Sequence, residues 1–175
     1  MAINLVVEDG TLPVGANTYA DLQTIADYLT PRGAQKWFTL SPEAQAGFAI
    51  QATDYLNGLP YRGFPVESGR LMAWPQRGQR YADGSPMAEN VVPVQVVNAL
   101  CELCAFAADG RFKPRRTREE AQGALTSQNV NGIAQSFAAP DLSVETGFTG
   151  FSSVDSLLDP FLKKGGVSVV QVARG

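Results

Sequence analysis

Residues 93–110, PVQVVNALCELCAFAADG, decide the fold. Within them, apolar side chains recur at steps of three and four residues, which is the spacing of one face of an α-helix. These side chains are Val94, Val97, Cys101, Cys104 and Ala108, and Leu100, Leu103 and Phe106 widen the same face. Because a helix that is apolar around most of its circumference must be covered by neighbours, we expect it at the centre of a helical bundle.

Three further helices are predicted around this one. The first opens at Thr18. The second opens at Ser41, which has N-cap chemistry and is followed by a proline at the first helical position. The last is capped by Ser152 or Ser153 and is broken at Pro160, unless Asp159-Pro160 starts a second short turn. The sequence therefore predicts a mainly α fold, a small bundle of about four helices.

A long loop separates the second helix from the central one. Residues 58–93 hold five glycines and five prolines, so little regular structure is expected there. Loops of this length inside a domain are usually functional or form interfaces. Leu71, Met72 and Trp74-Pro75 make the segment too apolar for a free linker, and we expect it to pack against the bundle.

The C-terminal part of the chain indicates a hairpin and an extended tail. The dipeptide 131–132, Asn-Gly, is favoured in tight turns and predicts a small β-hairpin in the region 120–140. The tail VSVVQVARG follows two glycines and is typical of an extended segment. It pairs either within its own domain or, as we favour, with a neighbour as an arm over residues 166–175. Residues 1–165 then form a single helical domain, with the loop 58–92 inserted in it.

Composition excludes several function classes. The 175 residues are 45% apolar and 18% charged, with a net charge of −3 and no histidine. The missing histidine removes the commonest general base and metal ligand, and Cys101 and Cys104 have too few companions to bind zinc. Gln95, Asn98 and Glu102 interrupt the most apolar segment, which argues against a membrane span. We therefore expect a non-enzymatic protein with no catalytic residue, cofactor or metal, and a surface that meets partners.

One basic run departs from the acidic balance of the chain. It comprises Arg111, Lys113, Arg115, Arg116 and Arg118. Two interpretations stay open. The run is either a solvated stretch after a helix C-terminus, where cations suit the helix dipole, or a contact with DNA phosphates or an acidic neighbouring subunit. Aromatic residues that would stack on bases are not interleaved beyond Phe112, which argues against single-strand binding by this run.

Several short segments follow one another in a distinctive order and spacing. They are Tyr19-Ala20-Asp21-Leu22, Tyr28-Leu29, Arg32-Gly33, Trp37, Ala52-Thr53-Asp54-Tyr55-Leu56, Gly63, Leu71-Met72-Ala73-Trp74-Pro75, Pro93, Cys101-Glu102-Leu103 and Leu157-Leu158-Asp159-Pro160-Phe161-Leu162. Taken together they resemble the head–tail adaptor proteins of tailed bacteriophages, which are also called connector or head-completion proteins. The resemblance covers residues 19–162.

The resemblance implies a structural role in the virion. Adaptors of this kind form a ring of about twelve copies at the portal–tail junction, or neck, and assemble in the host cytoplasm. Their partners are other copies of the same chain, the portal protein, the next neck or tail-completion protein, and genomic DNA that passes through the lumen without sequence readout. No membrane is involved.

The adaptor interpretation points to two groups of contact residues. The candidates for contact with the portal or another partner are Val167, Val169, Val170, Val172 and Arg174 in the arm, and Leu71 and Trp74 in the loop. The candidates for inter-subunit or DNA contact are Arg111, Lys113, Arg115, Arg116 and Arg118.

A binding function is the alternative. Members of the same group are often labelled DnaT-like single-stranded DNA-binding proteins, which implies a replication accessory whose affinity falls steeply with salt. The acidic balance of this chain argues against that role. An enzyme is the third class, and no convergent set of polar residues in the sequence supports it.

Overall fold

The computed structural model describes residues 3–81, 83–112, 127–130, 133–136 and 149–163. Within these residues four α-helices follow one another. They are α1 (Leu22–Leu29), α2 (Pro42–Asn57), α3 (Val94–Ala108) and α4 (Ser152–Leu158). Two short 3-10 helices, Thr30–Arg32 and Gln35–Thr39, lie between α1 and α2. The mainly α fold with a bundle of about four helices is therefore confirmed.

Two small antiparallel ribbons accompany the helices. β1 (Phe64–Pro65) pairs with β2 (Gln76–Arg77) inside the long loop, and β3 (Ser127–Val130) pairs with β4 (Ile133–Ser136). The second pair confirms the small β-hairpin predicted in residues 120–140, with Val130 opposite Ile133. The predicted C-terminal arm, residues 166–175, lies outside the described residues.

α3 lies at the centre of the core, as the sequence predicts. It contacts α1, α2 and α4, and its Val96, Leu100 and Leu103 are fully buried. The expected phase of the helix is wrong at its start, because Val94 is 63% exposed. A helix that is apolar on most sides does not fix its own rotation, and the packing of its neighbours decides which side chains face inward. None of the helices in the described part of the chain has the length and apolar character to cross a membrane.

α1 begins later than the predicted start at Thr18. Its N-cap is Asp21, whose carboxylate accepts a hydrogen bond from the backbone N–H of Thr24 at 2.7 Å. Thr18 is buried, and its hydroxyl donates to the carbonyl of Ala20 at 2.9 Å. The hydroxyl of Thr18 thus stabilises the turn before the helix, which the sequence pattern alone does not distinguish from a cap.

The start of α2 and the end of α4 agree more closely with their sequence signals. Ser41 caps α2 by accepting from the N–H of Ala44 at 3.3 Å, and Pro42 is the first helical residue. α4 ends at Leu158, two residues before Pro160. Its N-cap, however, is Phe151, so neither predicted serine occupies that position.

Candidate interaction surfaces on the central loop

The end of α2 binds the middle of the central loop, residues 58–93. The side-chain oxygen of Asn57 accepts hydrogen bonds from the hydroxyl of Tyr19 and from the backbone N–H of Ala73, the latter at 2.9 Å. The hydroxyl oxygen of Tyr19 in turn accepts from the N–H of Trp74 at 3.2 Å. Burial raises the pKa of Tyr19 well above its ordinary value, so the hydroxyl stays protonated. The loop is therefore anchored at its centre by buried side chains.

Trp74 belongs to the core and not to the surface. Its side chain is 1% exposed and makes edge-to-face contacts with Tyr61 and Phe161, with ring centroids 5.3 and 5.4 Å apart. The expectation that Trp74 contacts a partner is therefore corrected, because its ring is covered within its own chain. The expectation that the loop packs against the bundle is confirmed by the same contacts. Leu71, three residues earlier, is 89% exposed and stays available to a partner.

A buried ion pair ties the N-terminal segment to the central loop. Glu8 is 0% exposed, and one of its carboxylate oxygens lies 2.6 Å from the guanidinium of Arg70, whose side chain is 16% exposed. The other oxygen accepts from the backbone N–H groups of Gly10 and Leu12 at 3.0 and 3.1 Å. Such a pair stabilises a structure only if the remaining lone pairs are also satisfied, as they are here. The two segments are thereby fixed against each other.

The first candidate surface is a groove of mixed polar and apolar lining at this junction, which we call the Val14–Leu71 groove. It has a volume of about 240 Å³, and the acidic Glu67 and the basic Arg70 lie at it. Its other lining residues are Leu12, Pro13, Val14, Gly15, Ala16, Leu71 and Met72. Val14 is 99% exposed and Leu71 is 89% exposed, so two large apolar side chains project into solvent at one place.

The second candidate surface begins with the segment 76–80, Gln-Arg-Gly-Gln-Arg. Gln76 and Gln79 are buried, and the amide of Gln79 donates to the side-chain oxygen of Gln76 at 2.6 Å. The arginines between and after them, Arg77 and Arg80, are exposed. The buried glutamines thus anchor the backbone while the guanidinium groups stay in solvent.

Further cations and an aromatic ring lie around this segment. Phe64, which is 64% exposed, pairs across the ribbon with Arg77. Arg62 is exposed, and its Nε donates to the carbonyl of Leu162 at 2.7 Å. The N–H of Lys163 donates to the carbonyl of Pro60 at 2.8 Å. We call Arg62, Phe64, Arg77, Arg80 and Lys163 the arginine surface.

Close backbone packing keeps the two strands of the ribbon together. A Cβ atom at Gly63 would lie 2.7 Å from the carbonyl oxygen of Arg77 and 2.8 Å from the side-chain oxygen of Gln76. Only glycine leaves room for this approach, which places Arg62 and Phe64 beside the second strand. The backbone that carries the arginine surface is therefore held in place.

The basic run predicted from the sequence is described only at its first member. Arg111 is exposed, and its guanidinium lies 4.9 Å from the centroid of the Phe106 ring. Lys113, Arg115, Arg116 and Arg118 lie outside the described residues. The same holds for the five candidate residues of the arm, which are Val167, Val169, Val170, Val172 and Arg174.

A family profile described as "Putative DnaT-like ssDNA binding protein" matches residues 3–175, which is nearly the entire chain. The chain belongs to this family. No curated protein and no solved structure matches it. The family match covers the helical bundle, the central loop and both candidate surfaces.

In the described part of this DnaT-like chain, some cations are held in ion pairs and others are not. The described residues hold eight lysines and arginines against thirteen aspartates and glutamates. Arg32 pairs with Glu102 at 3.6 Å and Lys36 pairs with Asp109 at 3.4 Å, which links the two 3-10 helices to α3 and to its C-cap residue. Arg70 is bound to Glu8. Within the described part of the chain, the cations left for an outside partner are therefore concentrated on the arginine surface.

The two cysteines of the DnaT-like chain are core residues. Both are buried on α3, and burial raises the pKa of the Cys101 thiol to about 12 and that of Cys104 well above its usual value. In the described part of the chain, no group of three or more His, Cys, Asp or Glu side chains is placed to bind a metal ion. The thiols are therefore protonated at neutral pH and are poor nucleophiles.

Thiol labelling is expected to be very slow in the folded protein at pH 8. A shift of the Cys101 pKa from 9.0 to about 12 lowers its thiolate fraction about a thousandfold. The free energy of unfolding should also fall as the pH rises from about 9 towards 12, because the unfolded thiols ionise first. Reaction with a disulfide-exchange reagent, with and without denaturant, checks the first expectation. Rapid labelling of the native protein would show that α3 is accessible.

Proposed function

We propose that this chain is a head–tail adaptor of a tailed bacteriophage. In this role it is a structural, non-enzymatic virion protein that forms a ring of about twelve copies at the portal–tail junction and lets DNA pass through the lumen. The observation that carries the proposal is that Val14 and Leu71, the two most exposed large apolar side chains of the described residues, line one groove. Clustered apolar exposure is typical of a surface that another protein covers.

The support beneath the groove favours a preformed binding surface. Arg70 pairs with Glu8 and also donates to the carbonyl of Pro13 at 3.3 Å, so one buried ion pair holds the backbone beside both Val14 and Leu71. A surface that is ordered before binding loses less conformational entropy when a partner arrives. We assign this groove to contact with the portal protein. The role needs no cofactor, metal or catalytic residue.

Substitutions in the groove test the proposal. Val14→Ser and Leu71→Ser are each expected to weaken binding to the portal protein by about five- to thirtyfold, which corresponds to 1–2 kcal/mol at an interface anchor. Folding should change little, because both side chains are exposed. Sedimentation with purified portal rings measures the binding, and thermal unfolding checks the fold.

A matched control separates the groove from general apolar exposure. Val94 is 63% exposed but does not line the groove, so Val94→Ser should bind the portal protein like the wild type. Imaging of purified virions supplies an independent check of location. If the chain is missing from mature particles, or if both groove variants bind portal rings normally, the adaptor proposal fails.

A second function is favoured by the family description. The chain would bind single-stranded DNA as a replication accessory, and the charges for this would come from cations outside the ion pairs described above. Mass measurement with and without an oligonucleotide discriminates the two functions. A monomer or small oligomer that binds the strand at low salt, and releases it as salt rises, supports this second function over the ring.

A further inference from the structure

On the arginine surface, several guanidinium N–H groups make no hydrogen bond or ion pair with the described residues. The side chain of Arg77 makes no hydrogen bond or ion pair with any of the described residues. Arg62 uses only its Nε, towards Leu162, and Arg80 uses one terminal nitrogen, towards the carbonyl of Gly84 at 2.8 Å. Each of these arginines therefore keeps donors for an external acceptor.

Negative charge on the same loop is limited. Glu67 lies 3.5 Å from Arg70, and both are in the segment that connects the two strands of the ribbon. Asp83 accepts hydrogen bonds from the backbone and the hydroxyl of Ser85, which lower its pKa and keep it ionised. Glu89 lies on the same loop, and Asp159 lies four residues before Lys163. No described ion pair joins Asp83 or Glu89 to Arg62, Arg77, Arg80 or Lys163. The surface is locally cationic on a chain whose net charge is −3.

An exposed aromatic ring within this cationic surface narrows the kind of ligand. Phe64 is 64% exposed and lies directly across the ribbon from Arg77. Cations alone suit any polyanion, whereas a flat apolar ring beside them suits a base that can stack while its phosphate is neutralised. Tyr81, which is 43% exposed, follows Arg80 along the chain and adds a second ring.

We propose that the arginine surface binds a single-stranded nucleic acid, with Arg77 and its neighbours contacting phosphates and Phe64 stacking on a base. The proposal rests on the second function above and names the site of that function. The site lies on the anchored ribbon of the central loop, and none of the residues 111–118 is assigned to it. None of the described contacts fixes a hydrogen-bonding side chain of this site in a position to read a base edge. We therefore expect the binding to be independent of the nucleotide sequence.

Binding of a fluorescently labelled oligo(dT) to the full chain, followed by anisotropy over a salt series, tests the proposal. Phe64→Ala is expected to weaken binding about five- to 150-fold, the equivalent of 1–3 kcal/mol per stacked base. Arg77→Gln should weaken binding and make the slope of log K against log salt shallower by about 0.7, as for one lost phosphate contact on a single strand. Arg32→Gln removes the same charge at a residue paired with Glu102 and should change little.

The outcomes separate the site from the function. Weakening by Phe64→Ala and Arg77→Gln, with Arg32→Gln unaffected, supports the site. Normal binding by both, together with loss on neutralising Arg115, Arg116 and Arg118, overturns the site but keeps the single-stranded DNA function. No binding by the wild type at low salt overturns both. Equal competition by poly-glutamate with no effect of Phe64→Ala would indicate an acidic protein partner and would also overturn the site.

Discussion

A Trp74→Ala variant is expected to lose about 3–5 kcal/mol of unfolding free energy, the usual cost of removing a large buried aromatic side chain. The ring is 1% exposed and contacts the rings of Tyr61 and Phe161 edge to face. Its removal leaves a cavity between the central loop and the end of α4, and it deletes two aromatic contacts that add to burial. Urea unfolding followed by circular dichroism measures the loss.

Leu71 supplies the matched control for this variant in the same loop. Because its side chain is 89% exposed, Leu71→Ala should change the unfolding free energy by no more than about 0.5 kcal/mol. The pair of variants separates the packing of the loop from its interaction with partners. Equal stability of Trp74→Ala and the wild type would contradict the assignment of Trp74 to the core.

Local signals in the sequence predict the helices well. Ser41, Pro42 and the apolar run of α3 each act within one or two helical turns, and the structure has α2 and α3 where these signals indicate. The rotation of α3 is less well predicted, because it depends on three neighbouring helices. The predicted start of α1 is wrong for a related reason. Thr18 has a side chain that could cap a helix, but its hydroxyl donates to the carbonyl of Ala20 in a buried turn before the helix.

The candidate surfaces could be predicted only in part. Leu71 is identified from the sequence as an apolar residue in a polar loop, and it is exposed. Its distinction from Trp74 depends on contacts with residues far away in the chain, such as Phe161. The arginine surface is missed because its cations are spread over Arg62, Arg77, Arg80 and Lys163, whereas the run 111–118 is contiguous. Three of the cations of the arginine surface do lie within residues 62–81, a stretch that holds one glutamate and no aspartate, and this local excess of arginine is a usable signal.

The ion pair between Glu8 and Arg70 is also invisible to local patterns, since its members are 62 residues apart. Arg70→Ala is expected to destabilise the fold by about 3–5 kcal/mol, because it leaves the carboxylate of Glu8 buried without its charged partner. The groove between Val14 and Leu71 should lose its fixed shape in the same variant. Chemical denaturation measures the first effect, and portal binding of the folded fraction measures the second.

A second substitution distinguishes loss of the charge pair from simple loss of packing. The substitution Glu8→Gln removes the charge, yet the side-chain oxygen of the new amide can still accept hydrogen bonds from the N–H groups of Gly10 and Leu12. The double variant Glu8→Gln with Arg70→Ala should therefore be more stable than Arg70→Ala alone, with a coupling energy of about 0.5–3 kcal/mol. Glu67→Gln, at the 61% exposed end of the weaker contact, should be nearly neutral. If the double variant is no more stable than Arg70→Ala, the buried carboxylate is not what makes Arg70 necessary, and the groove is fixed by packing alone.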